Sequence, residues 1–370
     1  MGGSVLGRLF TISTFGESHG RALGVVIDGC PAGLALGEAD IQAELDRRRP
    51  GQSAYATKRA EADKAEILSG VFEGQTTGTP IAIVLYNEDQ RSRDYGNLAD
   101  VFRPGHADFG FDAKYGFRDY RGGGRSSGRE TCARVAAGAV AKKLLALLGV
   151  RVDAYVTSIG QVHVDPARFD LTEARRNPLN MPDASAAEAA ARYLDECMAR
   201  NDSAGGVIEC VVKGVPPGMG EPVFDKLDAL LARAVMSIGA VKGIEFGAGF
   251  AAAGMTGSEN NDTFTLTADG IRPAANRAGG VLGGISTGAD IVFRAAVKPT
   301  PSIGQAQETV DKNGIPVTLE IKGRHDPLVA SRAVVVVEAM TALVLADLLL
   351  LGAVSRADSL QSIYSIHRKR

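Results

Sequence analysis

The sequence predicts a layered α+β fold with apolar helices inside and sheets outside. Two observations carry this expectation. The helical stretches ending at Gly149 and spanning 328–350 are apolar around nearly their whole circumference, so each has to be buried on most sides. Around them stand short runs with simple alternation, at 9–14, 22–28, 81–86 and 289–297, the pattern of half-buried strands. Glycine supplies 45 of 370 residues without any regular period, which points to tight turns in a globular chain rather than to low complexity.

In chain order, 9–14 and 22–28 form two strands joined by Gly16-Glu17-Ser18-His19-Gly20, which puts His19 in a loop between paired strands. A loop histidine is usually just solvated, but flanking glycines and Ser18 make this one a catalytic candidate. Residues 37–49 read as an amphipathic helix ending in Arg47, Arg48 and Arg49, a basic last turn that the helix dipole alone would explain. The loop beyond adds Lys58 and Arg59 with no acidic partner before Glu61. Residues 66–72 and 81–86 read as a hairpin about the turn at 74–78. Arg103-Pro104-Gly105-His106-Ala107-Asp108 then presents a second histidine beside an arginine on a loop stiffened by proline.

Strand returns at 151–164, helix at 186–200, strand at 209–214 and helix at 222–234. Residues 247–252 satisfy the letter of a dinucleotide fingerprint, yet the run 254–261 breaks a helix where a Rossmann turn must open one. The paired glycines of 276–288 suit a backbone pressed against a flat ligand, as they would suit bulged turns. The strand at 289–297 reaches Lys298-Pro299-Thr300-Pro301-Ser302. The last apolar helix carries Arg332, Glu338 and Asp347 as charged exceptions, and the polar tail 352–370 reads as peripheral to a single domain over 1–370.

The stretch with the most chemistry is 121–134. Gly122, Gly123 and Gly124 remove every β-carbon where backbone would approach a ligand. Ser126, Ser127 and Arg129 follow at a helix start, with Arg125 and Arg134 as further guanidinium forks. A helix N-terminus flanked this way suits phosphate, although no GK[ST] follows and the turn is not a P-loop.

Composition narrows the classes. Lys+Arg 41 against Asp+Glu 43 gives net charge -2, so no global field draws the protein to nucleic acid or anionic lipid, and any anion site is local. Cys30, Cys132, Cys197 and Cys210 form no CxxC pair, and MGGSVLGRLF is too short an apolar run for a signal, so reduced thiols in a soluble, cytoplasmic protein are expected. No metal-ligand spacing stands out.

Taken together, GESHG at 16–20 with RALGVVIDGCP after it, RRRPGQ at 47–52, RPGHAD at 103–108, YRGGGRSSGRET at 120–131, MSIGAVKG at 236–243, NRAGGVLGGISTG at 276–288, KPTPS at 298–302 and GRHDP at 323–327 resemble the chorismate synthase family in order and spacing. The resemblance covers nearly the whole chain. It implies a three-layer β-α-β sandwich with helices between antiparallel sheets, a homotetramer, and an association with NADP. It also implies a lyase that converts 5-enolpyruvylshikimate 3-phosphate to chorismate and phosphate by anti 1,4-elimination, with reduced FMN and no net redox change. By that resemblance His19 protonates the departing phosphate, His106 stabilises the reduced flavin, and Asp326 assists proton movement at the flavin N5. Arg48, Arg103, Arg129 and Arg324 hold substrate anions. Arg125, Ser126, Ser127, Gly239, Ala240, Gly283, Lys298, Pro299, Thr300, Pro301, Ser302 and Arg324 surround FMN. No dinucleotide site is evident in the chain, so an external flavin reductant is expected.

Four positions depart from the family pattern: Ala54 replaces a usual arginine, and Gly239, Arg277 and Pro301 stand where other residues are common. Lys58 or Arg59 is expected to substitute for the arginine missing at 54. Two rival classes stay in view, a flavin-free phosphate-handling transferase and a nucleic-acid module using 47–59; bound flavin separates the first, and the net charge disfavours the second.

Overall fold

The computed structural model describes residues 3–49, 51, 55, 62–88, 98–121, 123–268, 270–321 and 326–367. Strands β1 (Val5–Leu6), β2 (Thr11–Gly16) and β3 (Ala22–Asp28) precede helix α1 (Glu38–Arg48). Next come β4 (Ala65–Ile67), β5 (Val71–Phe72), β6 (Gln75–Thr76) and β7 (Ile81–Tyr86), then α2 (Asp108–Tyr115) and α3 (Thr131–Ala146). The middle of the chain holds β8 (Arg151–Ile159), β9 (Val162–His163), α4 (Leu171–Ala174), α5 (Ala184–Ala199), β10 (Gly206–Lys213), α6 (Leu227–Met236) and β11 (Val241–Phe246). It continues with α7 (Gly257–Asn260), β12 (Phe264–Thr267), β13 (Gly270–Pro273), β14 (Val281–Leu282), β15 (Ile285–Ser286) and β16 (Ile291–Val297). The chain closes with β17 (Gln307–Val310), β18 (Pro316–Leu319), α8 (Ala330–Gly352) and α9 (Ala357–His367).

Among the described residues two five-stranded sheets dominate, in the orders β1-β2-β3-β7-β4 and β11-β16-β10-β8-β9, with every neighbouring pair antiparallel. The fold is therefore α+β. The alternation that predicts strands is visible in burial: Ile208, Cys210 and Val212 of β10, and Ile291, Phe293 and Ala295 of β16, turn inward while their neighbours are less buried. Helix α3 packs on β3 and β7 of the first sheet, α8 packs on β8 and β10 of the second, and α3 and α8 pack on each other. One contiguous apolar core runs through both sheets and these helices.

The α3–α8 crossing is close because Gly138 has no side chain. A β-carbon there would stand 2.4 Å from the Ala339 β-carbon. Helix α8 is long and apolar enough to cross a membrane, but it is a core helix here, mostly buried inside the fold.

Several boundaries move from the sequence reading. The first strand starts at Thr11, not at 9, and a short β1 pairs with it (Val5↔Ser13). The run 66–72 is split: β4 pairs with β7 as expected (Glu66↔Val84), but Val71–Phe72 turns away into its own two-stranded ribbon with Gln75–Thr76. The run 151–164 breaks into β8 and β9, the helix expected from 222 starts at Leu227, and the tail forms an exposed helix, α9. Beyond β11 the chain makes a 3-10 turn, Gly249–Gly254, and the four-residue α7, so no dinucleotide-binding helix follows the fingerprint.

Candidate active site

A cleft of about 600 Å³ opens where the end of α1, the turn before α3, the loop 103–107, the turn 237–240, the segment after β16 and the first turns of α8 converge. Such a volume is typical of small-molecule sites, which run from about 300 to 1,000 Å³. Seven cationic side chains line it against the carboxylates of Glu130 and Asp326, so the cleft favours anions although the whole chain is slightly acidic.

The turn before α3 is a pair of 3-10 segments, Gly124–Ser126 and Gly128–Glu130, so the α-helix begins at Thr131, later than the sequence suggests. Gly123 sits at φ +85, a conformation that glycine adopts without strain. Ser126 and Ser127 line the cleft, but their hydroxyls serve the turn: Ser126 donates to the Gly123 carbonyl at 2.8 Å, and Ser127 accepts from the Arg129 amide. The Arg125 guanidinium faces strand β2, donating to the Gly16 carbonyl at 3.0 Å and to Thr14 Oγ1 at 2.7 Å.

Glycine also decides the geometry of the second loop. Gly105 lies at φ +69, and a β-carbon on it would come within 2.6 Å of the Pro301 side chain, so the loop closes on the 298–302 segment only because the residue is glycine. Lys298 reinforces the contact by donating to the Gly105 carbonyl at 2.8 Å. His106 is thereby brought to 3.0 Å from Ser302 Oγ through Nε2, while Nδ1 lies 2.9 Å from the Pro104 carbonyl. A carbonyl only accepts, so Nδ1 carries the proton and Nε2 of the neutral ring accepts from the Ser302 hydroxyl. Burial, reinforced by the charge of Arg103, lowers the His106 pKa and keeps this neutral tautomer.

Three of the arginines expected to hold substrate, Arg48, Arg103 and Arg129, are each clamped by a carboxylate. Arg103 forms a fork on Asp108, at 2.8 Å from both Nε and Nη2. Arg48 donates to Asp63 Oδ2 at 2.9 Å, to Thr131 Oγ1 at 3.2 Å and to the Gly128 carbonyl at 2.8 Å, and Arg129 donates to the other oxygen of Asp63. Burial works against the charge on Asp63, but the two guanidinium groups outweigh it and hold the carboxyl below the usual carboxylate range. Arg134 reaches across from α3 to Ser237 Oγ at 2.6 Å, tying the helix to the turn that carries Gly239 and Ala240. Ala240 has φ +73, unusual for a residue with a side chain, and its carbonyl accepts from the Lys298 amide at 2.9 Å. Asp326 accepts from Arg332 at 2.8 Å at the cleft wall.

Of the predicted residues, Arg48, Arg103, His106, Arg125, Ser126, Ser127, Gly239, Ala240, Lys298, Thr300, Pro301, Ser302 and Asp326 line this one cleft. His19 and Arg129 stand outside that lining. His19 is 6% exposed, with Nδ1 3.0 Å from Ser18 Oγ, so it is not the solvated loop histidine that base expectation favours. Pro299 lies next to the lining without joining it, and Gly283 is exposed at the β14–β15 turn, away from the cleft wall. Arg324, Ala54, Lys58 and Arg59 fall outside the described residues. Sequence reasoning missed Asp63, Asp108, Asn87 and Arg332. The available signal was the arginine-rich run at 47–59, whose charge needs a buried carboxylate nearby. No group of three or more metal-ligating side chains occurs among the described residues.

Fold and site together define an α+β protein with a cationic cleft, of a size and charge that suit a small anionic ligand, lined by fixed arginines and a neutral histidine. The family profile described as chorismate synthase matches residues 10–350. The chain is 58% identical over 364 residues to the chorismate synthase of Lachnospira eligens, covering 98% of this chain and 100% of that protein. It is 61% identical over 350 residues to that of Syntrophobacter fumaroxidans, covering 95% and 98%. A crystal structure of chorismate synthase superimposes with a TM-score of 0.76 at 35% identity over 98% of both chains. The chain belongs to the chorismate synthase family.

Proposed function

We propose that the cleft holds reduced FMN and the phosphorylated substrate side by side, and that the chain works as one domain in a homotetramer of the cytoplasm. The reaction is that of the family: a lyase step that converts 5-enolpyruvylshikimate 3-phosphate to chorismate and phosphate in the shikimate pathway. A three-layer β-α-β sandwich frames the site; what supports this is the packing of α3 on one antiparallel sheet, of α8 on the other, and of the two helices on each other.

The residues fit the flavin. Thr300 Oγ1 and Arg332 Nε are buried at the cleft without a hydrogen-bond partner among the described residues, which is the demand a polar ligand would satisfy. The 125–127 turn, Gly239-Ala240 and the 298–302 segment offer backbone and small side chains to a flat ring, and Lys298 adds a charge for its phosphate. Reduced FMN, when bound, supplies the electron density that makes a hydrogen of low acidity removable.

The protein's own groups do the rest. Arg48 and Arg103, held rigid by Asp63 and Asp108, bind the substrate's anionic groups through charge-assisted hydrogen bonds, with Arg129 beside them. His19, on the turn that Asn87 ties to Arg129, would protonate the leaving phosphate. His106 meets the polar edge of the flavin ring, with its tautomer set by Pro104 and Ser302. Asp326, oriented by Arg332, would assist proton movement at the flavin N5. Reducing equivalents for the flavin would come from an external reductant.

The observation that carries this reading is the convergence of His106, Asp326 and the clamped Arg48 and Arg103 on one cationic cleft. An anaerobic assay with pre-reduced FMN and the phosphorylated substrate tests it. Chorismate and phosphate are expected in equal amounts, and turnover under strict exclusion of flavin would refute the cofactor assignment.

A further inference from the structure

Behind the cleft a hydrogen-bonded chain links two parts of the proposed machinery that lie far apart in sequence. Arg48 and Arg129 share the Asp63 carboxylate, one on each oxygen. Arg129 donates through Nε to Asn87 Oδ1 at 2.7 Å. The Asn87 amide in turn donates to the carbonyls of Glu17 at 3.0 Å and Gly20 at 2.8 Å, which bracket His19. Asp63 itself is 1% exposed, with φ +47, and Cys132 Sγ lies 3.5 Å from its Oδ2. Burial pushes that thiol up to about 11, so it stays a neutral donor and adds no second negative charge.

From this network we propose that Asp63 and Asn87 are positioning residues: Asp63 aims the guanidinium groups of Arg48 and Arg129 at the phosphate, and Asn87 transmits that placement to the His19 turn. This rests on the roles given above to the arginines and His19. Two guanidinium groups brought this close in a buried setting repel each other, and the shared carboxylate holds them near one another. Three of the five Arg48 donors are spent on Asp63, Thr131 and Gly128, one from each nitrogen, which fixes the guanidinium plane and leaves two N–H groups for a ligand. The Asn87 side chain uses its oxygen toward Arg129 and its nitrogen toward the turn, which fixes its orientation as well.

Simple charge counting gives the opposite expectation, since removing an aspartate makes the site more positive and would tighten anion binding. The two accounts differ in sign. In the full-length enzyme, Asp63→Asn is expected to weaken binding of inorganic phosphate about tenfold, and to raise KM for the substrate by a similar factor, with a smaller change in kcat. Asp63→Glu, which restores the charge on a longer arm, recovers part of that affinity. Asn87→Ala lowers kcat about tenfold, while phosphate affinity stays within about twofold of the parent.

Phosphate binding is read by calorimetry, beside the thermal midpoint of each variant. Unchanged or tighter phosphate binding in a folded Asp63→Asn protein overturns the positioning role, whatever its midpoint. If Asp63→Asn does not fold, the decision falls to Asn87→Ala, and an unchanged kcat there overturns the network. His19→Ala is run in parallel: normal turnover in it removes the assigned role of His19, whereas the phosphate affinity of Asp63→Asn reports on the arginines independently of that role.

Discussion

His106 shows how a single residue's chemistry follows from its two neighbours. The Pro104 carbonyl fixes the proton on Nδ1, the Ser302 hydroxyl points its own proton at Nε2, and burial with nearby Arg103 keeps the ring neutral. An NMR titration of the ring should therefore show a midpoint below the ordinary value of about 6.5. His106→Ala and His19→Ala should each lower kcat by about 10²-fold or more with the fold intact, the usual scale for groups that move protons. Unchanged turnover in either variant removes that residue from the mechanism. Both histidines are legible in the sequence because glycines flank them. Asp63 is not, since its partners lie 15 and 66 residues away and nothing local marks it. The arginine run is half legible: successive helical side chains diverge by about 100°, so Arg47 turns to Glu338, Arg48 to Asp63, and Arg49 to Asp46 at 3.6 Å.

At the scale of one element, α8 explains its own charged exceptions. Asp347 accepts the backbone amides of Arg8, Leu9 and Phe10, pinning the N-terminal segment to the helix. Glu338 is buried, and burial alone would raise its pKa. Lys142 and the bidentate Arg47 outweigh that and bring it down to about 2. Its folded pKa is depressed, so its stabilisation is complete above the unfolded value of about 4.3 and is lost as pH falls from there toward 2. The shift corresponds to about 3 kcal/mol, and acid unfolding should show that window in the parent but not in Glu338→Gln. That variant should also be less stable at neutral pH by about 3 to 5 kcal/mol, because Arg47 and Lys142 lose a buried counter-charge. Where α8 crosses α3 the limit is steric. Gly138→Ala should cost about 1 to 3 kcal/mol in denaturant unfolding, as expected when a methyl group enters a packed contact. The sequence marks α3 and α8 as buried, but not that they meet at Gly138 and Ala339.

On the scale of the whole molecule, strand character is legible from alternation, while sheet order is not. β4 follows β3 in sequence yet lies at the sheet edge beyond β7, and β16 inserts between β11 and β10, placements that depend on tertiary packing. The same packing leaves an apolar hairpin face exposed. In the hairpin of β12 and β13, Leu266 stands opposite Ile271, and Phe264 shares their face two residues away. All three are exposed, Leu266 at 81%. An isolated two-stranded hairpin is marginal in water, and an apolar face of this kind marks a protein contact. A second copy of the chain is the occupant that the homotetramer reading supplies. Light scattering on the purified enzyme should then give the tetramer mass, and the double variant Leu266→Asp, Ile271→Asp should shift it to a smaller species while far-UV circular dichroism stays unchanged. A tetramer that survives both charges would place the interface elsewhere and leave the hairpin face for another role.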